Sequence, residues 1–111
     1  MDIQTRQEGK VTVVSVSGKI DAMTAPAFEA SLSDLIGTER LHLALDLGGV
    51  EYISSAGLRV ILATAKALKN KKGVLLLANA RGPVKEVFDI SGFGSFFSIY
   101  ESVEAAVKAT D

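Results

Sequence analysis

Two adjacent serines, in the stretch Tyr52-Ile53-Ser54-Ser55-Ala56-Gly57-Leu58-Arg59, stand between an apolar run and a segment with helical periodicity. A serine so placed can cap the helix, attack a substrate or accept a phosphate. Attack needs a base within hydrogen-bond reach. The chain's one histidine, His42, opens a strand whose far end leads to the serines. At about 3.3 Å per residue, the path from His42 to Asp46 alone covers roughly 13 Å, so the imidazole sits at the wrong end. Nor does Ser-Ser-Ala-Gly reproduce the G-x-S-x-G elbow of the hydrolases. The hydrolase reading therefore fails, and His42 is read as a surface strand residue.

Other chemistries have less to stand on. Gly92-Phe93-Gly94 lacks the flanking pattern of a dinucleotide loop and has no Walker lysine-serine pair, and is read as a helix stop and a turn. One histidine and scattered carboxylates give no metal-ligand spacing. Asp21 and Asp46 follow two different strands as a possible acid pair, but Asp46 is expected to bond loop backbone.

The serines keep two roles, cap and phosphate acceptor. A helix start offers free N–H groups and the positive end of the dipole, and both favour a phosphate. Gly48-Gly49 is read as a loop that leaves the hydroxyls accessible. Beyond them, Ala56, Val60, Ala63 and Ala67 form a small apolar stripe edged by Arg59, Lys66 and Asn70, opposite a core stripe of Leu58, Ile61, Leu62, Ala65 and Leu68. Such a stripe packs against a neighbouring helix or docks a partner.

The elements that must position these residues follow from periodicity. Ile3 to Arg6 and Val11 to Ser17 flank Glu8-Gly9 as a hairpin, with Gly18 ending its second strand and "KIDAMTAP" as a loop. Thr24 and Pro26 open a helix with Phe28, Leu32, Leu35 and Ile36 on one face, stopped at Gly37. Residues 41–47 alternate as a strand, a second helix spans about Ser55 to Lys71, and 74–80 form a buried strand. Pro83 opens a third helix ending at Ser91-Gly92, residues 96–99 are a short strand or connector, and Ser102 caps a last helix. The order β-β-α-β-α-β-α-(β)-α predicts an α/β fold with a mixed sheet of four to five strands. About four helices lie mainly on one face. The basic run Lys69, Lys71 and Lys72 suits a helix C-terminus.

Composition bounds the partners. At 111 residues the chain is read as one domain. With 48% hydrophobic and 23% charged residues it is a globular sequence rather than a disordered one. A net charge of −1 gives no basic surplus for nucleic acid. The absence of cysteine removes disulfides and thiolate chemistry. The longest apolar run, Val74 to Ala78, is far short of the roughly 20 residues that span a bilayer. With no signal-peptide core in view, the expected location is the cytoplasm.

Three segments, "VSGKIDAMTAPAFEASL", "LALDLGGVEYISSAGLRVIL" and "VKEVFDISGF", resemble in order and spacing the anti-sigma factor antagonists, a family of stand-alone STAS domains. The resemblance spans nearly the whole chain and implies a STAS-type fold. It also implies a non-enzymatic switch that needs no cofactor and is a monomer when free. When unphosphorylated, such a protein binds a serine-kinase anti-sigma factor of the GHKL ATPase type, freeing a sigma factor or other client. The kinase phosphorylates a serine at the start of the second helix, and a PP2C-type phosphatase reverses this. The family segment reads Asp-Ser-Ser/Thr-Gly-Leu, with its first serine as acceptor. Aligning Gly57-Leu58 places the acceptor at Ser55, with Ser54 on the family's aspartate as the less favoured site. Asp21 matches a loop acid of the partner surface. That surface is expected to include Asp21, Met23, Thr24, Ser54, Ala56, Gly57, Arg59, Val60 and Ala63. Two other roles remain: an accessory subunit of a transporter, or a small-ligand sensor, with Ser55 then a structural cap.

Overall fold

A computed structural model describes residues 1–110. Its elements are β1 (Asp2–Glu8), β2 (Val11–Ile20), α1 (Ala25–Gly37), β3 (His42–Ile53), α2 (Ser55–Asn70), β4 (Val74–Ala78), α3 (Gly82–Ser91), β5 (Ile99–Tyr100) and α4 (Val103–Ala109). A single 3₁₀ turn, Phe93–Ser95, links α3 to β5. The spatial order of the strands is their chain order, with β1 antiparallel to β2 and every later pair parallel. Right-handed crossovers that always step the same way put their helices on one face. There Val14, Leu43, Leu45 and Leu47 of the sheet meet Phe28 and Leu32 of α1, Ile61 and Leu68 of α2, and Val84 and Phe88 of α3. The opposite face is smaller: Val11, Val13, Ala44, Leu76 and Ala78 lie under Val103 and Ala106 of α4. The expected α/β fold, with its helices mainly on one face, is the one observed.

Two strands outrun the sequence reading. β2 continues through Gly18 to Ile20, and β3 through Gly48-Gly49 to Ile53, so neither glycine site is a loop. Pairing carries them on: Ser17 lies opposite Gly49 and Ile20 opposite Ile53, with register shifts near Ser15–Ser17 and Gly18–Lys19. Gly18 takes φ +94° at this irregularity, a conformation that costs glycine little. A Cβ on Gly49 would stand 2.9 Å from the Ser17 Cβ, so the close strand approach demands glycine there. β4 stops at Ala78, two residues early, because Asn79 turns the chain with φ +66°.

The helix ends show which caps are real. Ser102 accepts a hydrogen bond from the Ala105 N–H at 3.1 Å, as expected of a cap. Thr24 occupies the cap position of α1 without capping it, its hydroxyl being used in the preceding loop. Gly92 ends α3 with φ +77°. Beside it the rings of Phe88, Phe93 and Phe97 stack in tilted pairs with centroids 5.4 and 5.3 Å apart.

Candidate functional site

The long β2 and β3 strands build the site. Because they pair to their ends, the Ser54 N–H donates to the Ile20 carbonyl at 2.8 Å. That bond ties the start of α2 to the end of β2, where the following loop begins. Asp21 organises the loop: its Oδ1 accepts from the N–H groups of Met23 (3.0 Å) and Thr24 (3.1 Å). The Thr24 hydroxyl closes the turn, accepting from the Asp21 N–H at 2.9 Å and donating to the Lys19 carbonyl at 2.9 Å. The backbone bond from Thr24 holds the Asp21 carboxyl below its ordinary value against an opposing desolvation cost, helped by Met23, the Thr24 hydroxyl and Lys19. This anionic clamp leaves Met23, 91% exposed, standing out from a well-bonded turn.

The two serines part company here. Ser54 takes the extended cap conformation (φ −96°, ψ 174°), and its carbonyl accepts the first helical bond from Leu58. Its side chain caps nothing: the hydroxyl oxygen is buried and has no hydrogen-bond partner. Ser55, the first residue of α2, is exposed.

Further along α2 the expected outer stripe is corrected. Val60 is 7% exposed and belongs to the core, together with Gly57, Ile61, Thr64 and Leu68. Ala56 and Ala67 are half-buried against the same core, as are Leu58, Leu62 and Ala65. The helix packs on both the sheet and α1, so its buried face is broad and its axis is rotated relative to the pattern expected from the leucines. What remains outside is Ser55, Arg59, Ala63, Lys66, Lys69 and Asn70. Gly57 likewise turns inward. A Cβ there would lie 2.7 Å from Ile20 Cγ2 and 2.8 Å from Ile53 Cγ1, so its absence lets the first turn seat on the ends of β2 and β3.

Of the nine residues expected on a partner surface, the fold leaves Met23, Arg59 and Ala63 exposed and Asp21 and Thr24 half-buried in the loop after β2. Ala56 is half-buried, Ser54 is half-buried with its hydroxyl oxygen out of solvent, and Val60 and Gly57 are interior. Tyr52, half exposed and opposite Lys19 in the ladder, lies at the same sheet end and was not singled out. Its signal was present: an aromatic two residues before Ser54 and next to the core residue Ile53, hence on the opposite side of the strand from it.

The other chemical candidates fall away on geometry. His42 and Ile53 sit at opposite ends of β3, so His42 is remote from both serines. Asp46 lies within β3 rather than in a loop. It accepts from the Ser15 hydroxyl (3.1 Å), the Gly48 N–H (3.1 Å) and the Asn79 amide (3.2 Å), bracing β2 and β3 against the turn after β4. It faces Ser15 in the ladder, far back from Asp21, and the two acids do not pair. A surface recess of about 320 Å³ lies between β1 and α4 and is lined by Arg6, Glu8, Val103, Glu104, Val107 and Lys108, none of them a candidate residue. Among the described residues no group of three or more His, Cys, Asp or Glu could hold a metal ion, and no helix is long and apolar enough to cross a membrane.

This arrangement has known counterparts. The family model for the STAS domain matches residues 2–106. BtrV of Bordetella bronchiseptica, named as an anti-sigma factor antagonist, is 41% identical over 97 residues, covering 87% of this chain and 84% of BtrV. The anti-sigma-F factor antagonist RsfB of Mycobacterium tuberculosis is 30% identical over 100 residues, covering 87% of this chain and 79% of RsfB. In three dimensions, the crystal structure of an anti-sigma factor antagonist from Mycobacterium paratuberculosis superposes with a TM-score of 0.89 at 32% identity, covering 97% of this chain and 92% of that one. An exposed serine at the start of α2, beside an acid-clamped loop on a sheet of five strands, is thus carried by a STAS domain, and this chain belongs to the anti-sigma factor antagonist family.

Proposed function

We propose that this chain is a phosphorylation-controlled partner switch rather than an enzyme. With Ser55 unmodified it binds an anti-sigma factor and so frees a sigma factor or other client. The partner is a GHKL-type serine kinase that phosphorylates Ser55 and thereby releases the antagonist, and a PP2C-type phosphatase restores the binding form. The observation that carries this reading is the contrast within the serine pair: Ser55 is exposed at the first position of α2, whereas the Ser54 hydroxyl is buried. Only the former is open to an incoming phosphoryl group without unfolding the turn.

The energetics suit a switch. Phosphorylation adds about −1.5 to −2 charges, which the first turn of a helix accommodates through its dipole and free N–H groups. The same charge pressed into a partner interface loses its water, and unless it is paired there the complex is weakened by several kcal/mol. Binding is lost while the domain stays folded. Asp21, Met23 and Thr24 on the clamped loop, with Arg59 and Ala63 on α2, supply the surrounding contact surface.

Mass spectrometry after incubation with the cognate kinase and ATP tests the assignment. Phosphate is expected on Ser55 and absent from Ser55→Ala; phosphate on Ser54 would overturn it. In calorimetry Ser55→Ala binds the anti-sigma factor as the unmodified protein does. Ser55→Asp binds at least tenfold more weakly, about 1.4 kcal/mol. Equal affinities would remove the charge switch.

A further inference from the structure

Four arginines are present, and three are engaged: Arg6 donates to Glu8 (3.1 Å), Arg40 to Gln7 (2.9 Å) and Arg81 to Asn79 (2.8 Å). Arg59 has no ion pair or hydrogen bond among the described residues. It is exposed and lies four positions after Ser55 on the same helix face. We infer that Arg59 is the intramolecular counter-ion of phosphorylated Ser55, its guanidinium reaching back one helical turn to hold the phosphate. The inference rests on Ser55 being the acceptor.

Three physical points support it. Residues four apart on a helix are neighbours, about 6 Å along the axis, and the pair is favourable when the acid precedes the base, as here. The guanidinium fork donates two parallel N–H groups, which match two phosphate oxygens. No rival on this helix is placed to do the same, since Lys66 stands eleven positions from Ser55, roughly 16 Å along the axis. The charged groups on the adjoining segments are Lys19 of β2, Asp21 of the loop after it and Glu51 of β3. Asp21 is already held by its own turn, which leaves Lys19 as the competing cation.

Phosphoserine installed during translation at position 55 gives the phosphoprotein without any kinase, and its second ionisation, ordinarily near pH 6, is followed by phosphorus NMR. At low salt this pKa is expected to be lower in the phosphoprotein than in its Arg59→Gln variant by about half a unit, a surface-pair effect that narrows at high salt. Lys66→Gln should titrate like the parent. Arg59→Gln should also lower the melting midpoint of the phosphoprotein while leaving that of the unmodified protein unchanged. Equal pKa values in parent and Arg59→Gln, or a shift produced by Lys19→Gln instead, would overturn the assignment. The two failures stay separate: a kinase that modifies another serine refutes the switch and leaves this measurement standing.

Discussion

Gly57→Ala offers a sharp test of how α2 is seated, because two effects of opposite sign compete at one methyl group. In a free helix the change adds up to about 1 kcal/mol of stability, since glycine loses the most backbone entropy on folding. Here the new Cβ would stand 2.7 Å from Ile20 Cγ2 and 2.8 Å from Ile53 Cγ1. Both atoms are bonded directly to their Cβ, and both side chains are buried, at 0% and 3% exposure. Neither can yield by swinging a flexible tip; χ1 must change or the helix must lift. Overpacking of this kind costs about 1–3 kcal/mol, so a net loss of about 1 kcal/mol is expected. Gly37→Ala is the matched control. It lies in the last turn of α1, where a Cβ meets nothing within 4 Å, and it should gain up to about 0.5 kcal/mol. Urea unfolding followed by far-ultraviolet circular dichroism measures both. With slopes of about 1–3 kcal/mol per molar, the Gly57→Ala midpoint falls by roughly half a molar at an unchanged slope. A Gly57→Ala protein as stable as the parent would refute the close-seating argument. A lifted first turn also carries Ser55 with it, so weaker partner binding should accompany the loss.

The two cap-position serines make a second pair of opposite expectations. Ser102→Ala removes a formed bond to the Ala105 N–H and should cost about 1 kcal/mol, whereas Ser54→Ala removes a buried hydroxyl without a partner and should be neutral or stabilising; thermal melts with equal losses for both would contradict this. The Asp21 clamp predicts a pH effect. Its folded pKa is lowered, so its stabilisation is fully present above the ordinary carboxylate range and is lost as pH falls through the lower, folded value. The amide resonances of Met23 and Thr24 should therefore shift together below about pH 4, and a stability difference between the parent and Asp21→Ala should vanish there. A clamp that titrates with an unshifted midpoint would remove the charge from the argument.

Much of this site was legible in the residues. The Ser-Ser pair before a periodic segment, Pro26 and Pro83 in first turns, and leucines alternating through 41–47 each encode a local geometry, because turn chemistry and a period of two or 3.6 act over a few residues. What misled was also local. Gly18 and Gly48-Gly49 look like chain breaks when taken alone, yet they are strand residues because the neighbouring strand approaches too closely for a side chain. Val60 looks like part of an exposed stripe, yet it is buried because α2 has two neighbours and not one.

The sequence by itself determined the kinds and order of the elements and placed the one histidine out of reach of the serines, and its resemblance to the family set the expectation that Ser55 is the acceptor. Tertiary structure decided which of two adjacent hydroxyls is open to chemistry. That choice depends on strand pairing beyond the glycines, which draws the Ser54 backbone onto Ile20 and its hydroxyl out of solvent. Pairing across more than thirty residues leaves no local trace in the chain, so neither the buried hydroxyl nor the unengaged Arg59 could be read without the fold.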